Sequence, residues 1–400
     1  MKYGVIVHKT TMNMGDDIQS YAAAKILPHV DYYLARENLD SFKSKNNEPV
    51  GVLMNAWWMW EKWNWPPAEC IYPYMISMHI NNYGIRRKSS PIQTEWLQGI
   101  GGEYFKAYEP IGCRDETTIN FLKENNIKTY FSGCLTLTLP KQKITSDTGT
   151  YVCLVDLKPE LEKKAREYLE NTGLEIRTIT HNCDYRKSDI SMEERFKIVE
   201  EILTQYQNAK VVITRRLHVT LPCLAMGVPV VSIVNLDDAG NYTRWAPYSD
   251  WVNYISEKDF MSHTFDYDFM NPKTNKMDYL ETRNSLIKSV NIFIDKTNNC
   301  ELPIEKIKKT HYTEIEARKW QNELMHWTLD TWLHKNRGLL EERNKFKKER
   351  DELKKKIEEM NELIKNKEKK IEQLIEKYEN IKMKDYLKIC YKKIKGFIGK

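Results

Sequence analysis

One stretch of the chain, residues 210–231 with the sequence KVVITRRLHVTLPCLAMGVPVV, leaves little freedom about the fold. Val211, Val212 and Ile213 form a short β-branched apolar run suited to a strand buried on both faces. Residues 217–226 then read as a helix closed by Gly227, and residues 228–231 start a second strand. Strand, loop, helix and strand in so short a span make the repeating unit of a parallel α/β sheet. Such sheets bind ligands at the carboxyl ends of their strands, and the loop at that place carries Arg215, Arg216 and His218 just ahead of a helix N-terminus. Two guanidiniums, an imidazole and free helix amides suit an anion with a titratable group beside it. Arg216 and His218, at alternate positions, can point the same way out of an extended loop, whereas a merely solvated loop is richer in Lys, Asn, Ser and Gly.

The 400 residues suffice for two domains of ordinary size plus an extension, and a chain 41% hydrophobic and 11% aromatic is not disordered. The eight cysteines form no CxxC pair, so they read as reduced, mostly buried thiols, and no structural zinc site is expected. The first residues, MKYGVIVH, start a strand at once without the features of a cleaved leader, and no apolar run approaches a membrane span; a cytoplasmic protein is expected. Residues 335–400 hold 22 of the 62 Lys/Arg and 13 of the 56 Asp/Glu, leaving 40 against 43 for the rest. The net charge of +6 therefore belongs to the tail, which argues against a nucleic-acid partner for the folded body.

Residues 3–8 are strand-like and 16–27 helical, joined by a loop in which Gly15 permits close backbone approach and Asp16 or Asp17 can cap the helix. Further apolar runs at 32–35, 50–55, 71–79, 110–113 and 129–139 continue a sheet, and the polar segment 141–150 reads as a linker. A second alternation follows: strand 151–157, helix 159–171, strand 175–181, helix 191–207 and then the signature strand. Two α/β units on either side of a linker define a cleft able to hold a donor and an acceptor on opposite walls.

Three segments carry a family resemblance. Asn13-Met-Gly-Asp16 with Gln19, Gly112-Cys-Arg-Asp115, and Arg216-Leu-His218 with Gly227-x-Pro229 resemble, over residues 1–300, the polysaccharide pyruvyl transferases. The third is the most specific, since order, spacing and strand–helix context agree. Two details depart: Gly133-Cys134 stands where many members have Asp-Pro, and Thr214-Arg215 where small residues often precede the signature. The resemblance implies an α/β fold of two Rossmann-like domains in a GT-B-like arrangement, here followed by a long C-terminal helix or coiled coil. The expected divisions are 1–147 (acceptor side), 148–300 (donor side), a helical connector at 301–338, a coiled coil at 339–384 and a basic amphipathic tail at 385–400.

The family's reaction forms a ketal between a pyruvyl group from phosphoenolpyruvate and two sugar hydroxyls, releasing phosphate, with no other cofactor. The resemblance carries donor binding to Arg114 and Arg216, with Arg215 and Leu217 beside them, and two Arg forks match a donor bearing phosphate and carboxylate. His218 would protonate the donor methylene or the departing phosphate, and Asp16 is the candidate base. Asp115 either orients Arg114 or caps helix 116–125. The acceptor, a sugar of a surface polysaccharide or its lipid-linked precursor, would meet Asn13, Gly15, Gln19, Trp57, Trp58 and Asp238. Trp57, Trp58, Trp60, Trp63 and Trp65 fall within nine residues, and indole faces stack on sugars, although tryptophans are also core residues. Asp237, Asp238, Asn241 and Arg244 reach the cleft or form an ordinary turn. A glycosyltransferase using a nucleotide sugar, and a non-catalytic scaffold, remain the alternative functions.

From Leu339 one heptad row reads Leu339, Phe346, Leu353, Met360, Lys367, Leu374 and Ile381, and its partner row Arg343, Arg350, Ile357, Ile364, Ile371 and Tyr378. Isoleucine in one row and mainly Leu/Met in the other favour a parallel two-stranded coil, hence a homodimer. The 385–400 tail, mixing Lys with Ile and Phe, is suited to peripheral contact with an anionic membrane.

Overall fold

The computed structural model describes residues 1–58, 64–80, 94–183, 190–236, 244–298, 300, 303–335 and 340–378. Trp60, Trp63, Asp237, Asp238, Asn241 and the 385–400 tail lie outside them, as does the side chain of Trp57.

Apolar runs at period two and at helical spacing become two separate parallel sheets. In the first half β1 (Lys2–Val7) leads into α1 (Met14–Ile26), β2 (Tyr32–Ala35), β3 (Val50–Leu53), β4 (Trp57–Trp58), β5 (Ile71–Tyr74) and β6 (His79–Ile80). Helix α2 (Gly99–Ala107), β7 (Ile111–Cys113), α3 (Glu116–Glu124) and β8 (Thr129–Phe131) complete it. The first sheet has the order β2-β1-β3-β5, with β4–β6 and β7–β8 as short parallel pairs beside it. The run 129–139, expected as strand throughout, is a three-residue strand and then a 3-10 turn at Leu135–Thr138. Gly133, at φ +73°, bends the backbone out of the extended region, and the turn's leucines enter the core instead.

The second half contains β9 (Tyr151–Val155), α4 (Pro159–Leu169), β10 (Glu175–Ile179), α5 (Met192–Asn208), β11 (Val211–Thr214), α6 (Leu217–Met226), β12 (Val230–Ile233), β13 (Asn253–Ile255) and α7 (Glu257–Ser262). Its strands lie in the order β10-β9-β11-β12-β13, all parallel. Burial on both faces explains their unbroken apolar character: Tyr151, Cys153 and Val155 of β9 join one core cluster, Val152 and Leu154 the other. The helix ends are fixed locally. Ser191 and Glu194 form a reciprocal capping box at the start of α5, and Gly227 closes α6 in the left-handed region at φ +76°.

Helix α8 (Tyr279–Thr297) follows the second sheet in sequence but packs on the first. Phe293 stacks on Tyr74 at 5.0 Å and on Tyr72 at 6.1 Å, and the Tyr3 hydroxyl lies 2.8 Å from Thr297 Oγ1. The halves are also joined by a fully buried ion pair: Arg195 of α5 donates through Nε to Asp17 of α1 at 3.1 Å and through Nη2 to the His8 carbonyl at 3.0 Å. Both sheets, with the short helix α9 (Ile304–Ile307), fall in one compact unit, Met1–His311.

The second unit, Tyr312–Lys400, contains α10 (Glu314–Lys335) and α11 (Leu340–Tyr378), which lie against each other with Lys319 paired to Glu368 at 3.1 Å. Ile357, expected in the seam with a partner chain, is already buried in the single chain, whereas Met360 and Leu363 are exposed. Among the described residues no helix is long and apolar enough to cross a membrane.

Candidate active site

The site is built from loops at the carboxyl ends of β1, β7, β9, β10 and β11. Asn13 caps α1 by accepting from the Gly15 amide at 3.1 Å. The chain around it is strapped to the loop after β10: Asn13 and Asn182 form an antiparallel bridge, Met14 N donates to His181 O at 2.8 Å, and Cys183 N to Met12 O at 3.1 Å. This strap brings Gly15 against His218. A methyl group at Gly15 would lie 3.2 Å from Asn13 Oδ1 and from both Cβ and Nδ1 of His218, a contact tight enough that the ring would have to give by a few tenths of an ångström.

His218 is 6% exposed, with Nε2 3.5 Å from Arg114 Nη1 and 3.7 Å from Cys134 Sγ. Arg114, 4% exposed at the end of β7, donates to the Gln19 side-chain carbonyl, while its backbone carbonyl accepts from Tyr248 at 2.5 Å. Gln19 in turn donates to Asp16 at 3.3 Å, and Asp16 also accepts from Thr11 at 2.6 Å. A polar chain thus runs Asp16–Gln19–Arg114–His218–Cys134. The next residue, Asp115, takes the capping role: it accepts from the Thr118 amide at 2.9 Å and meets His79 Nδ1 at 2.5 Å. Burial opposes its charge, yet His79 and the helix amide hold its carboxyl below the usual range.

A second group surrounds Arg216. Asp156, just beyond β9, accepts from Arg216 Nε and from the His181 amide, both at 2.9 Å, and Arg216 Nη2 donates to Asn182 at 2.9 Å. The Arg216 side chain remains 34% exposed, so its fork is oriented but not enclosed. His181 is buried with Nε2 2.7 Å from the Tyr206 hydroxyl.

The electrostatics revise one expectation. An imidazole poised near neutrality was expected at position 218; instead burial, then Arg114, Arg244, His181 and His79, push His218 well below 6.5. The ligand-free site therefore holds a neutral His218. Burial also drives His8 and His181 down to about 4. A histidine with a depressed folded-state pKa contributes stability above its unfolded value of 6.5, and that contribution is lost as pH falls toward about 4. The thermal midpoint should fall between about pH 6.5 and pH 4, each group costing up to about 3 kcal/mol, and His8→Leu should flatten the slope. A midpoint unchanged across that window would refute this.

Three of the expected site residues are placed otherwise. Arg215 points to Glu257 at 3.0 Å, a carboxylate shared with Lys158, so its charge is spent in a local network. Leu217 belongs to the apolar core. Trp58 is 4% exposed, its indole N–H donating to Met54 O and its ring edge-on to Trp65, which leaves no face for a sugar. Trp65 is likewise buried, stacked on Phe105 at 4.7 Å. Conversely, Cys134, Asp156, His181, Asn182 and Tyr248 were not singled out as site residues. For the first four the only sequence signal is position shortly after short strands, while Tyr248 lies in a 3-10 turn at Ala246–Trp251, and their partners lie far along the chain.

A family model described as polysaccharide pyruvyl transferase matches residues 13–238, 226 of the 400. The chain belongs to that family. The matched span opens at Asn13 and contains all three signature segments of this polysaccharide pyruvyl transferase family member. No curated protein matches the chain. Among solved structures it is similar to a functionally uncharacterised protein from Klebsiella pneumoniae, at 12% identity and a TM-score of 0.36, over 64% of this chain and 92% of that one. It is also similar to the E. coli heptosyltransferase WaaC with ADP-2-deoxy-2-fluoro heptose, at 13% identity and a TM-score of 0.29, over 74% and 99%.

Proposed function

We propose that this polysaccharide-modifying transferase moves a pyruvyl group from phosphoenolpyruvate onto two hydroxyls of a sugar in a surface polysaccharide or its lipid-linked precursor. The observation that carries this reading is the state of Arg114. It is a buried guanidinium whose bonded partners among the described residues, Gln19 and His218, are neutral. The nearby carboxylates are committed elsewhere, Asp115 to His79 and Thr118 and Asp156 to Arg216. A buried cation without a carboxylate partner suits an incoming anion, and Arg244 adds to the same field. Phosphoenolpyruvate supplies two anionic groups of the right kind. Burial first and then the surrounding positive field keep His218 neutral; the donor's arrival would offset the second and favour a ring holding the proton delivered to the donor methylene.

In this reading the donor lies between Arg216 of the second half and Arg114 of the first, with the acceptor on the first half, in a GT-B-like arrangement, and Asp16 accepts a hydroxyl proton. The test is incubation with candidate donors and a soluble acceptor glycan. Phosphate release from phosphoenolpyruvate with ketal formation is expected; nucleotide release from a sugar nucleotide, with no phosphate from phosphoenolpyruvate, would replace the reading with glycosyl transfer.

A further inference from the structure

The residue beside His218 that the proposed reaction does not yet use is Cys134. It follows Gly133 in the turn after β8, and its thiol is buried. The sulfur accepts a hydrogen bond from Thr136 Oγ1 at 3.2 Å and lies 3.7 Å from His218 Nε2. Because Thr136 donates to the sulfur, the thiol hydrogen is free to point at the imidazole lone pair. Arg114 Nη1, which has hydrogens but no lone pair, faces the same nitrogen at 3.5 Å. Two donors on one nitrogen leave Nε2 without a hydrogen of its own. Besides the guanidinium hydrogens, the proton nearest that nitrogen is then the one on the neighbouring sulfur.

We propose that Cys134 is the proton reserve of His218: when an anionic donor engages Arg114, the S–H proton passes to Nε2, leaving a thiolate beside an imidazolium. Cys134 is thus a positioning residue that acts through His218, and the steps that follow rest on the phosphoenolpyruvate reading above. The imidazolium N–H bond breaks as the π pair of the donor double bond takes the proton onto the methylene carbon. The first acceptor hydroxyl adds to the adjacent carbon, and the proton it releases restores the thiol. The second hydroxyl adds as phosphate leaves with its C–O electron pair; Asp16 takes its proton and the departing phosphate carries that proton away. No oxidant or further reactant is required.

The surroundings explain why the transfer waits for a ligand. Burial, and after it Arg114, Arg244, His181 and His79, oppose charge on His218, and Tyr248 is another titratable group beside Cys134. Asp115 is held by His79 and Asp156 by Arg216, so a bound donor supplies the compensating negative charge. Burial keeps the pair from exchanging its proton freely with water.

The experiment compares the full-length protein with Cys134→Ala, reading ultraviolet thiolate absorbance and the pH dependence of kcat, with phosphoenolpyruvate binding followed separately by calorimetry. Wild type should gain a thiolate band on adding phosphoenolpyruvate, and Cys134→Ala should not. The variant should lose about 10- to 100-fold in kcat near neutrality, with KM for the donor changed by less than about threefold, and should recover as pH falls because its proton must come from solvent. Binding of phosphoenolpyruvate without a thiolate band, or a variant whose pH profile overlays that of wild type, would overturn the proposal. Arg114→Gln is measured without ligand as a second arm. Removing the guanidinium should let the thiolate form unaided, and the band should vanish in the Arg114→Gln, Cys134→Ala double variant. If phosphoenolpyruvate does not bind while this arm succeeds, the thiol–imidazole pair stands and the donor assignment falls; if this arm also gives no band, the pair itself is refuted.

Discussion

Replacing His218 with Ala is expected to lower turnover by about 10²- to 10⁴-fold, with a much smaller effect on acceptor binding. The ring occupies the junction of the two halves, against Gly15 on one side and Arg114 and Cys134 on the other. Loss of the ring removes the group through which a proton can reach the donor, while the apolar residues of α6 that pack the core remain in place. His218→Gln keeps a polar side chain of similar reach but cannot carry and release a proton, so it should not restore the rate. Turnover measured across pH, on protein whose folding is verified by its melting transition, decides the matter. A His218→Gln enzyme with near-normal turnover and an unaltered pH profile would remove His218 from the chemistry.

Arg216→Ala is expected to weaken donor binding by about 2–4 kcal/mol. The fork is aimed by Asp156 at Nε and by Asn182 at Nη2, so a planar, pre-oriented guanidinium faces the site with part of its surface still open. Lysine cannot reproduce that geometry, because its single ammonium would satisfy Asp156 or the donor but not both in register. Arg216→Lys should therefore recover only part of the loss. Asp156→Asn should act in the same direction by releasing the fork, although it touches no ligand. Calorimetric titration with phosphoenolpyruvate reads all three, and unchanged donor affinity in a folded Arg216→Ala protein would sink the assignment of this arginine to the donor.

The sequence was most legible where local chemistry dictates local structure. The Val211–Ile213 run, the Gly227 stop and the helix read over 191–207 each rest on a few adjacent residues, and each is found close to where it was read, the last opening on a Ser191/Glu194 capping box not anticipated from the sequence. The alternation expected to aim Arg216 and His218 the same way is not what orders the loop, since Arg216 turns to Asp156 and Asn182 and His218 to Arg114 and Cys134. What escaped was whatever depends on who arrives from elsewhere in the chain. Asp156, inside the strand read over 151–157, shows no sign of a site role until Arg216, sixty positions on, is brought to it. An indole looks the same in sequence whether its face meets a sugar or, as for Trp58, another indole. The neutral state of His218 was invisible for the same reason, because its causes are burial under the assembled fold and then four other segments carrying Arg114, Arg244, His181 and His79.

The return of α8 to the first sheet bears on how the molecule is made. Tyr3, Tyr72 and Tyr74 find Phe293 and Thr297 only after nearly three hundred residues have left the ribosome. Until then the patch of Tyr3, Tyr72 and Tyr74 lacks that cover, although α1 and the Leu135–Thr138 turn already pack with the sheet, so the N-terminal half is finished only together with the C-terminal half. A chain cut at the linker would separate that sheet from its own cover. Assembly must instead close the loop from last helix to first strand, so completion of the cleft and completion of the fold are a single late event.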